Sequence, residues 1–225
     1  MRPASAEGAN PAFSPDDRRL VDAGWDGVIR LVDAATGAVV LERAYRDCMV
    51  TAVAHAPGTD HFAFAVNPKK APGVAPPFDS GAIVEWRYPF DRTAPSERTT
   101  GLWSIAALCL APASGRIAVA GWEPPRSSQL LLLEPGSGET IQRVPLDNGR
   151  VSALAWLPGD RYIGVVDSDR VVVLDGDGLQ QLAQVRCRYA CSIAFDPDGE
   201  HALIGSWEAG YRIPLADLWT TTSLP

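Results

Sequence analysis

Residues 13–37 read FSPDDRRLVDAGWDGVIRLVDAATG, and the order of elements in this stretch decides the architecture. Phe13-Ser14-Pro15 closes an apolar run at a proline, which cannot donate to a strand ladder and favours a strand end. Leu20 to Ala23 then predicts a short strand, Gly24-Trp25-Asp26-Gly27 a turn, Val28 to Val32 a second strand, and Ala34-Ala35-Thr36-Gly37 another turn. A unit this small has too little apolar surface to stand alone, so the remaining chain is expected to repeat it.

It does. An apolar run ends at a proline five times, at Pro15, Pro57, Pro112, Pro158 and Pro197, with spacings of 42, 55, 46 and 39 residues. Five residues after the proline stand Leu20, Phe62, Ile117, Ile163 and Ala202; two further on stand Asp22, Phe64, Val119, Val165 and Ile204. The residues between are mostly small, such as Ala63, Ala118 and Gly164, as suits a strand packed on both faces. Eleven residues past the proline an acid recurs, as Asp26, Glu123, Asp169 and Glu208, with Pro68 breaking the column in the second repeat. An acid in a tight turn can accept from free backbone N–H groups, which explains the column structurally. Third strands are predicted at Val28 to Val32, Ala82 to Trp86, Leu130 to Leu133, Val171 to Leu174 and Tyr211 to Leu215. The chain reads as all-β.

These features resemble the WD-repeat (WD40-type) β-propeller family. The likeness is strongest over residues 13–37, returns at Ser192 to Glu208, and weakens in the second and third repeats. The family's Gly-His dipeptide is missing, and its Trp-Asp dipeptide is replaced by Val32-Asp33, Trp86-Arg87, Leu133-Glu134 and Leu174-Asp175. The resemblance implies one propeller domain over 1–225, with four-stranded antiparallel blades at about 8–47, 48–102, 103–150, 151–188 and 189–225. Three arrangements stay open: a closed five-blade ring, an open arc completed by another chain, or the C-terminal piece of a longer propeller. Trp219 to Leu224 is a candidate outer strand for the fifth blade, and Pro68 to Ser80 is an exposed proline-rich excursion in the second.

No stretch carries a recognisable active site. His61 and His201 occupy the same column of different repeats, so they are expected to lie apart, and His55 takes an apolar strand position. Cys187 and Cys191 have no second pair, so Cys48, Cys109, Cys187 and Cys191 are read as free thiols. Asp175-Gly176-Asp177-Gly178 aligns with a hairpin turn and lacks the downstream glutamate of a calcium loop. The chain is therefore expected to be no enzyme and to hold no metal or cofactor. The alternative is a small-ligand-binding or catalytic propeller using the central channel.

Net charge is −7 and the pI is near 4.9. That field repels phosphate backbones, so nucleic acid is not an expected partner. No apolar run approaches the roughly 18 residues of a membrane span, and residues 1–7 lack the apolar core of a secretory signal. A cytoplasmic location and no membrane partner follow as expectations.

Tryptophan gives the one pointed functional signal. Ten residues after the proline stand Trp25, Trp122 and Trp207, each followed by an acid: Asp26, Glu123 and Glu208. Asn67 and Ser168 fill this column in the second and fourth repeats, whereas Trp86 and Trp156 fall in strand columns and are expected in the core. A tryptophan at a turn is a preferred interface anchor, although each ring could equally pack on a neighbouring blade. The reading is a non-catalytic protein–protein interaction scaffold with these six residues as its partner-binding surface. The acids favour a partner with basic and apolar character, and self-association is expected if the ring is open.

Overall fold

The computed structural model describes residues 11–56, 58–70, 75–90, 94–125, 127–146, 150–167, 169–221 and 223–224. The ten N-terminal residues, Pro57, Ser168 and residues 71–74 of the proline-rich excursion lie outside them. Strand makes up 57% of the structure and helix 2%, arranged as five antiparallel sheets of three or four strands.

Each sheet is a meander whose strands neighbour one another in chain order. The first holds β1 (Ala12–Phe13), β2 (Arg19–Ala23), β3 (Val28–Asp33) and β4 (Val39–Ala44). The second holds β5 (Cys48–His55), β6 (His61–Pro68), β7 (Ala82–Arg87) and β8 (Ser96–Thr99). The third holds β9 (Ser104–Leu110), β10 (Ile117–Glu123), β11 (Ser127–Leu133) and β12 (Thr140–Leu146), and the fourth β13 (Val151–Trp156), β14 (Tyr162–Asp167), β15 (Arg170–Asp175) and β16 (Gln181–Arg186). The fifth has three strands among the described residues, β17 (Ala190–Phe195), β18 (His201–Ser206) and β19 (Gly210–Pro214), followed by a helical turn α1 (Leu215–Leu218).

Burial follows strand position. In the second, third and fourth sheets the second and third strands are the apolar, deeply buried ones: every residue of β6 is buried, as are Ile117 to Gly121 of β10 and Val171 to Leu174 of β15. The fourth strands carry alternating polar residues and are largely exposed, as in β4, β8 and β12. Irregularities recur at fixed places as well. Pairing slips near the start of the first strand at Val50/Ala52, Val151/Ala153 and Ala190/Ser192, and between third and fourth strands at Leu31/Val32, Leu132/Leu133 and Val173/Leu174. A bulge bends and twists a strand locally, so its repetition gives successive sheets the same bend.

The chain divides into two compact units, Met1–Leu108 and Cys109–Pro225, the division falling inside β9. In the first, Val21, Ile29 and Leu31 of the first sheet pack against Val50, Phe62, Phe64 and Val84 of the second, with Trp86 and Phe90 in the same cluster. Asn67 carries the next link. Its Nδ2 donates to Thr51 Oγ1 (2.9 Å) and to the Ile105 carbonyl (2.7 Å), and its Oδ1 accepts from Ile105 N–H (2.8 Å). Gly81 makes this approach feasible, since a Cβ there would lie 2.9 Å from Ile105 Cγ1 and 3.0 Å from Asn67 Oδ1.

In the second unit, Val166, Val171, Val185, Ile193, Ala202 and Ile204 form the core between the fourth and fifth sheets. The third and fourth sheets are tied by turns: Asp160, buried and at positive φ (59°), accepts from Ala113 N–H (3.1 Å) and Ser114 N–H (2.5 Å). Arg116 adds an ion pair to Asp177 (3.0 Å) and covers the buried Trp156 ring.

The C-terminal segment departs from the expected outer strand at Trp219 to Leu224. Pro214 ends β19, Leu215 to Leu218 form α1, and Leu218 enters the core between the last two sheets. Ser223 bridges Arg186 of the fourth sheet instead. The excursion after Pro68 is partly packed, with Phe78 stacked on Tyr45 and Lys70 lying 4.6 Å from the Trp103 ring centre.

Candidate functional site

The three tryptophans singled out by their offset all stand at hairpins joining a second strand to a third. Trp25 lies between β2 and β3, Trp122 near the end of β10, and Trp207 between β18 and β19. All three are exposed, at 48%, 42% and 83%, whereas Trp86 and Trp156 are buried. Trp25 belongs to the first unit, Trp122 and Trp207 to the second.

The turns that carry Trp25 and Trp207 are fixed by backbone bonds to the segments linking one sheet to the next, whereas Trp122 is held in the β10–β11 ladder opposite Ser128. Around Trp25, Gly27 N–H donates to Gly24 O (3.0 Å), Tyr45 N–H to Gly27 O (2.8 Å) and Val50 N–H to Gly24 O (2.9 Å). Gly27 sits at φ 79°, and a Cβ on it would be 2.6 Å from the carbonyl oxygens of Tyr45 and Cys48, so no other residue fits the turn. In the last sheet Ser206 Oγ accepts from Glu208 N–H (3.2 Å) and Ala209 N–H (3.0 Å), while Trp207 N–H donates to Tyr189 O (3.3 Å). The Trp207 ring stacks on Tyr189 at 5.9 Å between centroids and 16° between planes, and Arg188 lies over the Tyr189 ring. Tyr189 and Arg188 escaped the sequence reading because they precede a strand in no recurring column.

The acids divide into two groups. Asp26 Oδ1 accepts from Val28 N–H (3.1 Å) and its other oxygen pairs with Arg30 (2.6 Å), which also reaches Glu42. Glu123 receives Arg143 through both oxygens at 3.0 Å. Glu208 is exposed at the Trp207 turn. An ion pair cancels most of the field its acid would project, so the negative potential expected along these turns is largely neutralised beside Trp25 and Trp122.

Two buried polar groups were not anticipated. His61 Nε2 lies 2.8 Å from Glu85 Oε2, and Glu85 is also ion-paired to Arg98, so three charged-type side chains from β6, β7 and β8 share one buried position. Burial, aided by the charge of Arg87, holds the His61 imidazole below its ordinary pKa. Asp22 is buried with its Oδ2 lacking a partner, and burial pushes its carboxyl up against the pull of Arg30. It fills a column that elsewhere holds Phe64, Val119, Val165 and Ile204.

No family model matches this chain, and no curated protein matches it. The remaining candidate ligand groups are engaged in turns. Asp175 Oδ1 accepts from Asp177 N–H (3.1 Å) and Gly178 N–H (2.5 Å), and Oδ2 from Gln180 N–H (2.6 Å). Burial opposes its ionisation, yet those amides hold its carboxyl below the usual range. Asp196, Asp198 and His201 bring ligand-type atoms within 4.8 Å of one another. There too the carboxylates are taken: Asp196 accepts from His201 N–H (2.8 Å) and lies 2.9 Å from its Nδ1, and Asp198 accepts from Glu200 N–H (3.1 Å). All four cysteines are free thiols, three of them buried; burial raises the Cys109 thiol well above its ordinary pKa. No helix among the described residues is long and apolar enough to cross a membrane.

Proposed function

We propose that this chain is a non-catalytic protein-binding scaffold, a divergent WD-type propeller that engages partners through its exposed turn tryptophans, Trp25 in the first unit and Trp122 and Trp207 in the second. The observation that carries the reading is their exposure at second-to-third-strand hairpins, with the backbone braced at Trp25 and Trp207. A large aromatic held in water by a fixed backbone has already lost the entropy that binding would otherwise cost, the condition under which aromatic anchors dominate interfaces. The neighbouring ion pairs Asp26–Arg30 and Glu123–Arg143 suit a polar border around each ring. The five sheets, each a short antiparallel meander and four of them four-stranded among the described residues, are compatible with the propeller.

The test uses Trp25→Ala, Trp122→Ala and Trp207→Ala, with partners captured from cells that express the protein. Each variant should keep its fold to within about 1 kcal/mol, because an exposed ring contributes little to the core. At least one should weaken partner binding by about 2 kcal/mol or more. Three variants that bind the captured partner as tightly as the parent chain would defeat the proposal.

A further inference from the structure

Among the described residues, four of the five sheets end in a fourth strand and the fifth does not. Its last strand, β19, is an open edge among the described residues. The Ser206 N–H to Ala209 O bond (2.8 Å) and the Leu215 N–H to Glu200 O bond (2.7 Å) fix the phase of the β18–β19 ladder. Residues 211 and 213 therefore pair inward, and residues 210, 212 and 214 turn their backbone groups outward. The outward groups are the N–H and C=O of Gly210 and Arg212 and the carbonyl of Pro214.

The side chains at this edge match an arrangement that is complete in the second sheet. There His61, four residues after the repeat proline, meets Glu85, which stands opposite Ala63, and Glu85 is paired with Arg98 on the fourth strand. Arg98 lies in register with Ile83, two residues before Glu85. In the fifth sheet His201 takes the place of His61, and Arg212, opposite Leu203, takes the place of Glu85. Arg212 Nη2 lies 3.1 Å from His201 Nδ1 and 3.6 Å from Asp196, while its side chain stays 63% exposed. The charge at the third-strand position is reversed, and no fourth-strand member of the set stands among the described residues.

We propose that β19 is a docking edge for an extended segment of a partner protein, which adds as the fourth antiparallel strand and sets a carboxylate opposite Gly210 to pair with Arg212. Main-chain bonds supply the attraction in such strand addition, and side chains supply the choice of partner. The added strand is short, because Pro214 lacks an N–H and ends the usable edge. The four-residue β8 shows that such a length suffices in this fold. A second copy docking through its own β19 would bring two Arg212 side chains together, so charge favours an acidic partner segment over self-pairing. The proposal rests on the reading of the chain as a binding module but uses a different surface from the tryptophan turns.

The experiment titrates the 15N-labelled full chain with a peptide copying residues 94–100, APSERTT, in which Arg98→Glu supplies the carboxylate. The backbone amides of Gly210 and Arg212 should shift saturably, and the unsubstituted peptide should bind about tenfold more weakly. An Arg212→Glu chain, with unchanged thermal unfolding, should reverse that preference. The chain carrying Trp25→Ala, Trp122→Ala and Trp207→Ala should respond as the parent does, so failure of the tryptophan reading leaves this result untouched. The proposal is overturned if neither peptide shifts those two amides, or if both bind alike. It is equally overturned if Gly210 and Arg212 are already protected from hydrogen exchange in the free chain, because the edge is then filled by the protein itself.

Discussion

Replacing Asn67 with alanine tests what binds the first two sheets to the strand that follows them. Asn67 and Ile105 are both almost fully buried, and the amide makes three bonds, two of them to the Ile105 backbone. In Asn67→Ala the Ile105 carbonyl keeps one donor, Thr51 Oγ1 at 2.9 Å. The Ile105 N–H keeps nothing, and a buried orphan donor costs about 1–3 kcal/mol. The lost bonds at Nδ2 add about 1 kcal/mol, for an expected total of about 2–4 kcal/mol. Asn67→Asp sharpens the test. It retains an acceptor for Ile105 N–H but turns a carboxylate toward the Ile105 carbonyl, so it should be at least as damaging at neutral pH and should recover in acid, where the protonated form regains a donor. Urea unfolding should be followed by exchange-resolved NMR of amides in each unit, which reports the first and second units separately. Exchange of the Ile105 amide should accelerate ahead of the other β9 amides. A loss below about 0.5 kcal/mol, with Ile105 still protected, would show that the amide is not the tie and refute the reasoning.

Asp160→Ala removes a carboxylate that caps two backbone N–H groups of the preceding sheet, and should destabilise the second unit by about 2–3 kcal/mol in urea unfolding; Asp160→Asn, which loses the charge but keeps one acceptor, should cost less, and equal losses would refute a role for that acceptor. Asp22→Asn should stabilise the first unit at neutral pH by about 1 kcal/mol, since the parent buries a carboxylate oxygen without a partner. The folded-state carboxyl of Asp22 is raised, so the native chain holds its proton more tightly and the parent loses stability as pH rises from the ordinary carboxylate range through the raised value. Unfolding curves at acid and neutral pH should therefore diverge in the parent more than in Asp22→Asn, and identical pH slopes would refute the assignment.

The positions legible in the sequence are those where one physical demand recurs. The repeat proline recurs in all five sheets, and the small residue between two columns and the turn glycine recur in several; each answers a backbone requirement, and the second and third strands follow from them. What could not be read depends on partners far apart in sequence. Glu85 sits in AIVEWR as a lone acid in an apolar strand, and its partners His61 and Arg98 share no motif with it. Asn67 occupies the column that elsewhere carries tryptophan, and only the position of Ile105 reveals it as a buried tie. The C-terminal segment misled for a local reason: Trp219 to Leu224 has strand-forming residues, but Pro214 ends the ladder first and Leu218 finds burial as a helical residue.

The same distinction explains why the tryptophans were found and their electrostatic setting was not. Offset from the proline is a backbone property, and it placed Trp25, Trp122 and Trp207 on hairpins of one kind. The charge of the neighbouring acids depends on cross-strand geometry: Arg30 reaches Asp26 from the following strand, and Arg143 reaches Glu123 from two strands on. These pairs brace the hairpins more than they project a field, so under the proposed function Trp25 and Trp122 would offer a partner chiefly ring shape and apolar area. At Trp207 the geometry is different. The ring has a stacked aromatic beneath it, an arginine beyond that, and an exposed acid beside it. A partner group meeting Trp207 therefore finds an open aromatic face with charges of both signs nearby, which gives this turn more chemical means of discrimination than the other two.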